Sequence, residues 1–134
     1  MAGTERVILI DDSDIDLRIQ SRFLEVFKFT RELIQYRSAT EAFAFLKNLD
    51  GNAPPDVIFL DLNMPEVNGF TFLKDFSTLP ESITNSTKIV VLSSSTNTRD
   101  RVEAFQHKSV IHYITKPIKQ TDIEEVRKLI HGKK

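Results

Sequence analysis

Hydrophobic residues gather in four short runs: Val7-Ile8-Leu9-Ile10, Val57-Ile58-Phe59-Leu60, Ile89-Val90-Val91-Leu92 and Val110-Ile111-His112-Tyr113-Ile114. The first three are continuous and rich in β-branched side chains. Runs this short, without polar alternation, predict strands covered on both faces, as in a parallel sheet between helices. Leu33-Ile34-Gln35-Tyr36-Arg37 is more polar and predicts an edge strand.

Helical spacing fills the intervals. Ile15, Ile19, Phe23 and Val26 mark an apolar face after the first strand, and Ala39, Ala42, Leu46 and Leu49 mark another before the Val57 run. Ser38-Ala39-Thr40-Glu41 has the capping-box spacing, in which hydroxyl and carboxylate satisfy each other's orphan backbone N–H groups. Thr121-Asp122-Ile123-Glu124 repeats it, ahead of Val126 and Ile130 on one face. Asn52 to Pro55 breaks the chain before a strand, and Leu79-Pro80 closes a helical stretch. Phe70, Phe72 and Phe76 follow Gly69 on an expected third helix, with burial as their default fate. Strand and helix thus alternate five times. Right-handed crossovers turn this order into an α/β fold, a doubly wound sheet with helices on both faces.

Composition narrows the picture. The 134 residues fit one domain, expected to span 1–134 with its core at about 5–131 and no output domain attached. With 40% hydrophobic and 28% charged residues, the chain has an ordinary globular composition. A net charge of −1, from 18 basic and 19 acidic side chains, argues against a nucleic-acid partner. The absence of cysteine excludes disulfides, thiolate nucleophiles and cysteine metal sites. Val7 to Ile10 is too brief for a signal-peptide core and no stretch approaches spanning length, so no membrane association and a cytoplasmic location are expected. His107, His112 and His131 have no metal-ligand spacing and read as structural or exposed.

The chemistry sits where the strands end. Sites in doubly wound sheets form at the carboxyl ends of the strands. There the chain places Asp11-Asp12, Asp61, Ser93-Ser94-Ser95 and Thr115-Lys116-Pro117. Clustered carboxylates repel one another and call for a cation. A set of hard oxygen ligands suits Mg²⁺, which keeps waters and often meets a phosphate. An ionised aspartate can act as a nucleophile toward phosphorus and form an aspartyl phosphate. Mg²⁺ and Lys116 would then neutralise charge on the transferring group, with Ser93 donating a hydrogen bond to it. Read singly, Asp11-Asp12 could be helix-capping acids and Lys116 a solvated surface lysine; their convergence favours the site. Ser13 reads as the cap of the first helix.

Asp11-Asp12, the run Asp61-Leu62-Asn63-Met64-Pro65-Glu66-Val67-Asn68-Gly69, Ser93 and Lys116-Pro117, in that order and each at a strand end, resemble the receiver domains of response regulators, the CheY-like family. The resemblance covers nearly the whole chain. It implies a flavodoxin-like (βα)5 sheet in the order 2-1-3-4-5 and a phosphorelay switch that works with Mg²⁺. Asp61 resembles the phospho-acceptor, Asp12 the direct metal ligand and Asp11 the neighbour that reaches the metal through water. Asn63 would offer a backbone carbonyl to the metal. Lys116 would pair with the phosphoryl group, and Pro117 would follow a cis peptide bond. Ser93 would move toward the phosphoryl group, with Ser94 as the alternative hydroxyl, and Tyr113 stands at the rotating aromatic switch. Met64, Pro65 and Gly69 belong to the structural motif, while Asn63 and Ser95 hold the positions that influence phosphate lifetime. The signal would pass through the face formed by the fourth helix, fifth strand and fifth helix. Lys108-Ser109 departs from the Gly-Ala common before the fifth strand, which affects a loop and not the chemistry.

The expected donor is a histidine kinase or a histidine phosphotransfer protein. The downstream partner is open, and the chain is expected to be a monomer, or a dimer once phosphorylated. The rivals are a phosphate-independent binding module and a small aspartyl-phosphate phosphatase. Phosphatases of the haloacid-dehalogenase type carry a second aspartate two positions after the nucleophile, and here that position is Asn63. The chain is therefore expected to be a switch, with Mg²⁺-assisted self-phosphorylation and slow autodephosphorylation, rather than an enzyme.

Overall fold

The structure, a computed structural model, describes residues 4–62, 69–94 and 97–131. The apolar runs become strands: β1 (Thr4–Ile10), β3 (Val57–Asp61), β4 (Lys88–Ser93) and β5 (Val110–Thr115), with β2 (Thr30–Tyr36) from the more polar segment. Between them lie α1 (Asp14–Val26), α2 (Ala39–Lys47), α3 (Gly69–Phe76), α4 (Glu81–Thr84), α5 (Thr98–Ala104) and α6 (Gln120–His131). All strands pair in parallel, in the order β2-β1-β3-β4-β5. Every residue of β3 is buried, as expected of a strand covered on both sides.

Side-chain alternation splits the core into two layers. Val7 and Leu9 of β1, Val57 and Phe59 of β3, and Val90 and Leu92 of β4 pack with Leu17, Leu24, Ile123 and Val126 from α1 and α6. The intervening residues, among them Ile8, Ile58 and Val91, pack with Ala42 and Leu46 of α2, Phe72 and Phe76 of α3, and Ala104 of α5. An irregularity in β5 matches Ile89 to Val110 but Val90 to His112. The extra residue puts Val110 and Tyr113, three positions apart, on the same layer.

Three local expectations are corrected. Ile15, Ile19 and Val26 are exposed by more than half, whereas α1 buries Leu17, Gln20 and Leu24. The helical spacing was right but its phase was off: of the expected row only Phe23 packs against the core, from its edge, while the row of Leu17 and Leu24 faces the sheet. The five-fold alternation of strand and helix also gains a short extra helix before β4, while the helix end expected at Leu79-Pro80 holds. α3 stops at Phe76, and a separate turn, α4, follows Pro80, which lacks the N–H needed to continue a helix. Finally, α6 starts before Thr121. Lys119 takes the cap position and Asp122 Oδ2 accepts its backbone N–H at 2.9 Å. The capping at Ser38 does hold: its hydroxyl accepts the Glu41 N–H at 3.2 Å.

Candidate metal and phosphoryl site

The strand order reverses between β1 and β3, the point at which doubly wound folds form their sites. Ile10 pairs with Leu60, so Asp11 and Asp61 emerge side by side. Both are buried, while Asp12 is exposed. One carboxylate oxygen from each of Asp11, Asp12 and Asp61 lies within 4.8 Å of the others. Such a group is unfavourable without a cation, and its all-oxygen donors fit a hard divalent ion such as Mg²⁺.

Asp11 is anchored on every side. Its Oδ1 accepts the Ser13 backbone N–H at 3.0 Å, and its Oδ2 accepts Gln20 Nε2 at 3.1 Å and Lys116 Nζ at 3.0 Å. Ser13 also caps α1, its hydroxyl accepting the Asp16 N–H at 3.2 Å. The loop that carries Asp11 and Asp12 is therefore fixed by the same residue that starts the helix.

Lys116 leaves the end of β5 and bridges the carboxylates. Its backbone N–H donates to Ser93 O at 2.8 Å, and the Lys116–Pro117 peptide is cis. Its ammonium lies 2.9 Å from Asp16 Oδ2, 3.0 Å from Asp11 Oδ2 and 3.5 Å from Asp61 Oδ1. Burial pulls the ammonium down, but hydrogen bonds to Asp16 and Asp11 and the charges of Asp61 and Asp11 outweigh it and raise its pKa to about 12. Lys116 is thus a fixed positive charge at any ordinary pH.

Ser93 is fully buried at the end of β4, whereas Ser94 is exposed. The Tyr113 ring is buried, with the Arg101 guanidinium 5.5 Å from its centroid. Gly69 opens α3 and donates its N–H to Leu62 O at 3.1 Å, which returns the chain to the end of β3. Asn63, Met64, Pro65, Glu66, Val67, Asn68, Ser95 and Thr96 lie outside the described residues.

Sequence reading missed Asp16 and Gln20. A signal existed for Gln20: it sits three residues after Leu17 and four before Leu24, a polar side chain in the row that α1 buries. Its reason is the carboxylate of Asp11 beneath it.

The family model described as "Response regulator receiver domain" matches residues 7–128. The chain belongs to that family. Among curated relatives, Response regulator Rcp1 from Synechocystis is 26% identical over 94% of this receiver domain and 84% of Rcp1. Two-component response regulator ORR1 from Oryza sativa subsp. indica is 29% identical, and the domain spans 55% of its length. Sensor histidine kinase CheAY from Helicobacter pylori is 33% identical over 83% of this chain and 13% of the kinase. Among solved structures, a two component response regulator from Cytophaga hutchinsonii superposes with a TM-score of 0.88 at 26% identity, over 96% of this chain and 97% of that one. The phosphorylated cyanobacterial phytochrome response regulator RcpA gives 0.73 at 27% identity, over 96% and 91%.

The protein is accordingly a receiver domain of two-component signalling, a switch of the kind that takes phosphoryl groups from histidine kinases. Receiver domains generally use Mg²⁺, and the Asp11-Asp12-Asp61 group suits it. Among the described residues no helix is long and apolar enough to cross a membrane.

Proposed function

We propose that Asp61 accepts a phosphoryl group from a phosphohistidine donor in a Mg²⁺-dependent reaction. A carboxylate oxygen of Asp61 attacks phosphorus, an O–P bond forms, and the P–N bond to the donor imidazole breaks. The imidazole leaves with the electron pair and takes a proton from solvent. Asp11, Asp12, Asp61 and the Asn63 carbonyl would hold Mg²⁺, which when bound offsets charge on the phosphoryl oxygens. The observation that carries this reading is the convergence of Asp11, Asp12 and Asp61 on one site bridged by Lys116. A structural relative that has been crystallised phosphorylated supports it.

In this reading Lys116 pairs with the phosphoryl group and the buried Ser93 hydroxyl donates to it. The added charge biases a pre-existing equilibrium between two conformations. Tyr113 belongs to that change, on the face that the short additional helix makes α5–β5–α6. Asn63 and Ser95 tune water access and hence the rate of hydrolysis.

Intact mass after incubation with acetyl phosphate tests the proposal. One phosphoryl adduct should appear with Mg²⁺, vanish without it, and be absent from Asp61→Asn. An adduct on Asp61→Asn would move the acceptor elsewhere. No adduct on the folded parent would favour a phosphate-independent binding module.

A further inference from the structure

Asp16 lies in the first turn of α1, away from any strand end, and yet makes the shortest contact to Lys116. The three carboxylates around that ammonium differ in how readily each can release it. Asp11 is fully buried, so apart from the Mg²⁺ it would help to hold, withdrawal of Lys116 would leave an anion away from water with the Ser13 and Gln20 donors. Asp61 is buried too, and carries the group that Lys116 must neutralise. Asp16 is 38% exposed and regains water when the contact opens.

Resting on the receiver chemistry above, we propose that Asp16 is a positioning residue that competes with the phosphoryl group on Asp61 for Lys116. In the resting domain Asp16 and Asp11 hold the ammonium, and the longest of its three contacts is to Asp61. A phosphoryl group brings about −1.5 to −2 charges to Asp61. Closing that gap draws Nζ toward the phosphoryl oxygens, and the solvent-facing contact to Asp16 is the one that yields. Asp16 thereby sets how strongly the phosphorylated state is favoured. Because this contact is partly screened, removal of the Asp16 charge is expected to change the balance by about three- to fivefold.

Asp14 supplies the control. It lies in the same helical turn, carries the same charge and pairs with Arg37 at 2.9 Å, without touching Lys116. The experiment titrates the whole chain with beryllium fluoride, a phosphoryl mimic, in the presence of Mg²⁺, and follows NMR amide shifts. Acetyl phosphate labelling of each variant is measured in parallel. Asp16→Asn should half-saturate at about three- to fivefold lower beryllium fluoride, Asp16→Glu should restore the parent value, and Asp14→Asn should leave it unchanged. An unchanged midpoint in Asp16→Asn, or an equal shift in Asp14→Asn, overturns the inference while the receiver chemistry stands. A parent that neither binds the mimic nor takes a phosphoryl group overturns both.

Discussion

A methyl group added to Gly69 would sit 2.7 Å from the Cα of Leu62, the residue that follows Asp61. The start of α3 is thus pressed against the end of β3: the Leu62 side chain lies nearer still, at 2.6 Å, and the backbone behind it, Leu62 Cα and Asp61 O at 3.0 Å, cannot swing aside. Gly69→Ala should destabilise the domain by about 1–3 kcal/mol and shift the amide resonances of Asp61 and Leu62. Urea unfolding with an NMR spectrum of the variant checks both. A neutral substitution would mean that the two segments separate easily.

The two apolar rows of α1 should respond in opposite ways. Leu17→Ala or Leu24→Ala removes core contacts and should cost about 2–5 kcal/mol. Ile15→Ser or Ile19→Ser removes exposed side chains and should stay within about 0.5 kcal/mol of the parent. Equal losses in urea unfolding would show that the outer row is covered in solution.

Lys116→Met leaves Asp11 buried without its cation. The loss should be about 3 kcal/mol, the scale for breaking a buried pair from one side. The ammonium's raised pKa gives a second readout. Its contribution is complete below about 10.4, the ordinary lysine value, and is lost as pH rises through about 12. The difference in stability between parent and Lys116→Met should therefore be flat from pH 7 to 10 and shrink above that.

His112 should give a dependence at the other end of the scale. Burial lowers its imidazole pKa, Asp122 and Glu125 oppose this, and Arg101 adds to it. The unfolded chain then binds more protons than the folded one between the lowered value and about 6.5. Stability from this group is complete above about 6.5 and is lost as pH falls through that window. Between pH 7.5 and 5.5 the parent should lose a few tenths of a kcal/mol more than His112→Gln, the effect being small because the ring is partly exposed. Identical losses would mean that the ring is hydrated.

The sheet was legible in the sequence because burial on both faces leaves no choice of residue: Val57 to Leu60 has to be apolar throughout. The acid rim was legible for a related reason, since a carboxylate directly after such a run needs an explanation. What could not be read was which of two apolar rows on α1 faces inward. Ile15 and Ile19 are as greasy as Leu17 and Leu24, and the sheet decides between them. Pairings across the fold were hidden for the same reason: nothing local in Asp16 or Gln20 says that Lys116 or Asp11 will be beside it. The start of α6 was misread because Thr121 and Glu124 imitate a cap that Asp122 provides.

The division of the core into two layers has a consequence for how such a domain can change. Alternate residues of β1, β3 and β4 report to opposite sides, so the helices on one side can be rewritten without disturbing the packing on the other. The shared ground is the strand ends, with Asp11, Asp61, Ser93 and Lys116, and the few helix residues that touch them, Asp16 and Gln20 of α1 and Gly69 of α3. New outer surfaces can thus be tried on α1 and α6, or on α2, α3 and α5, while the chemistry at the rim is inherited intact.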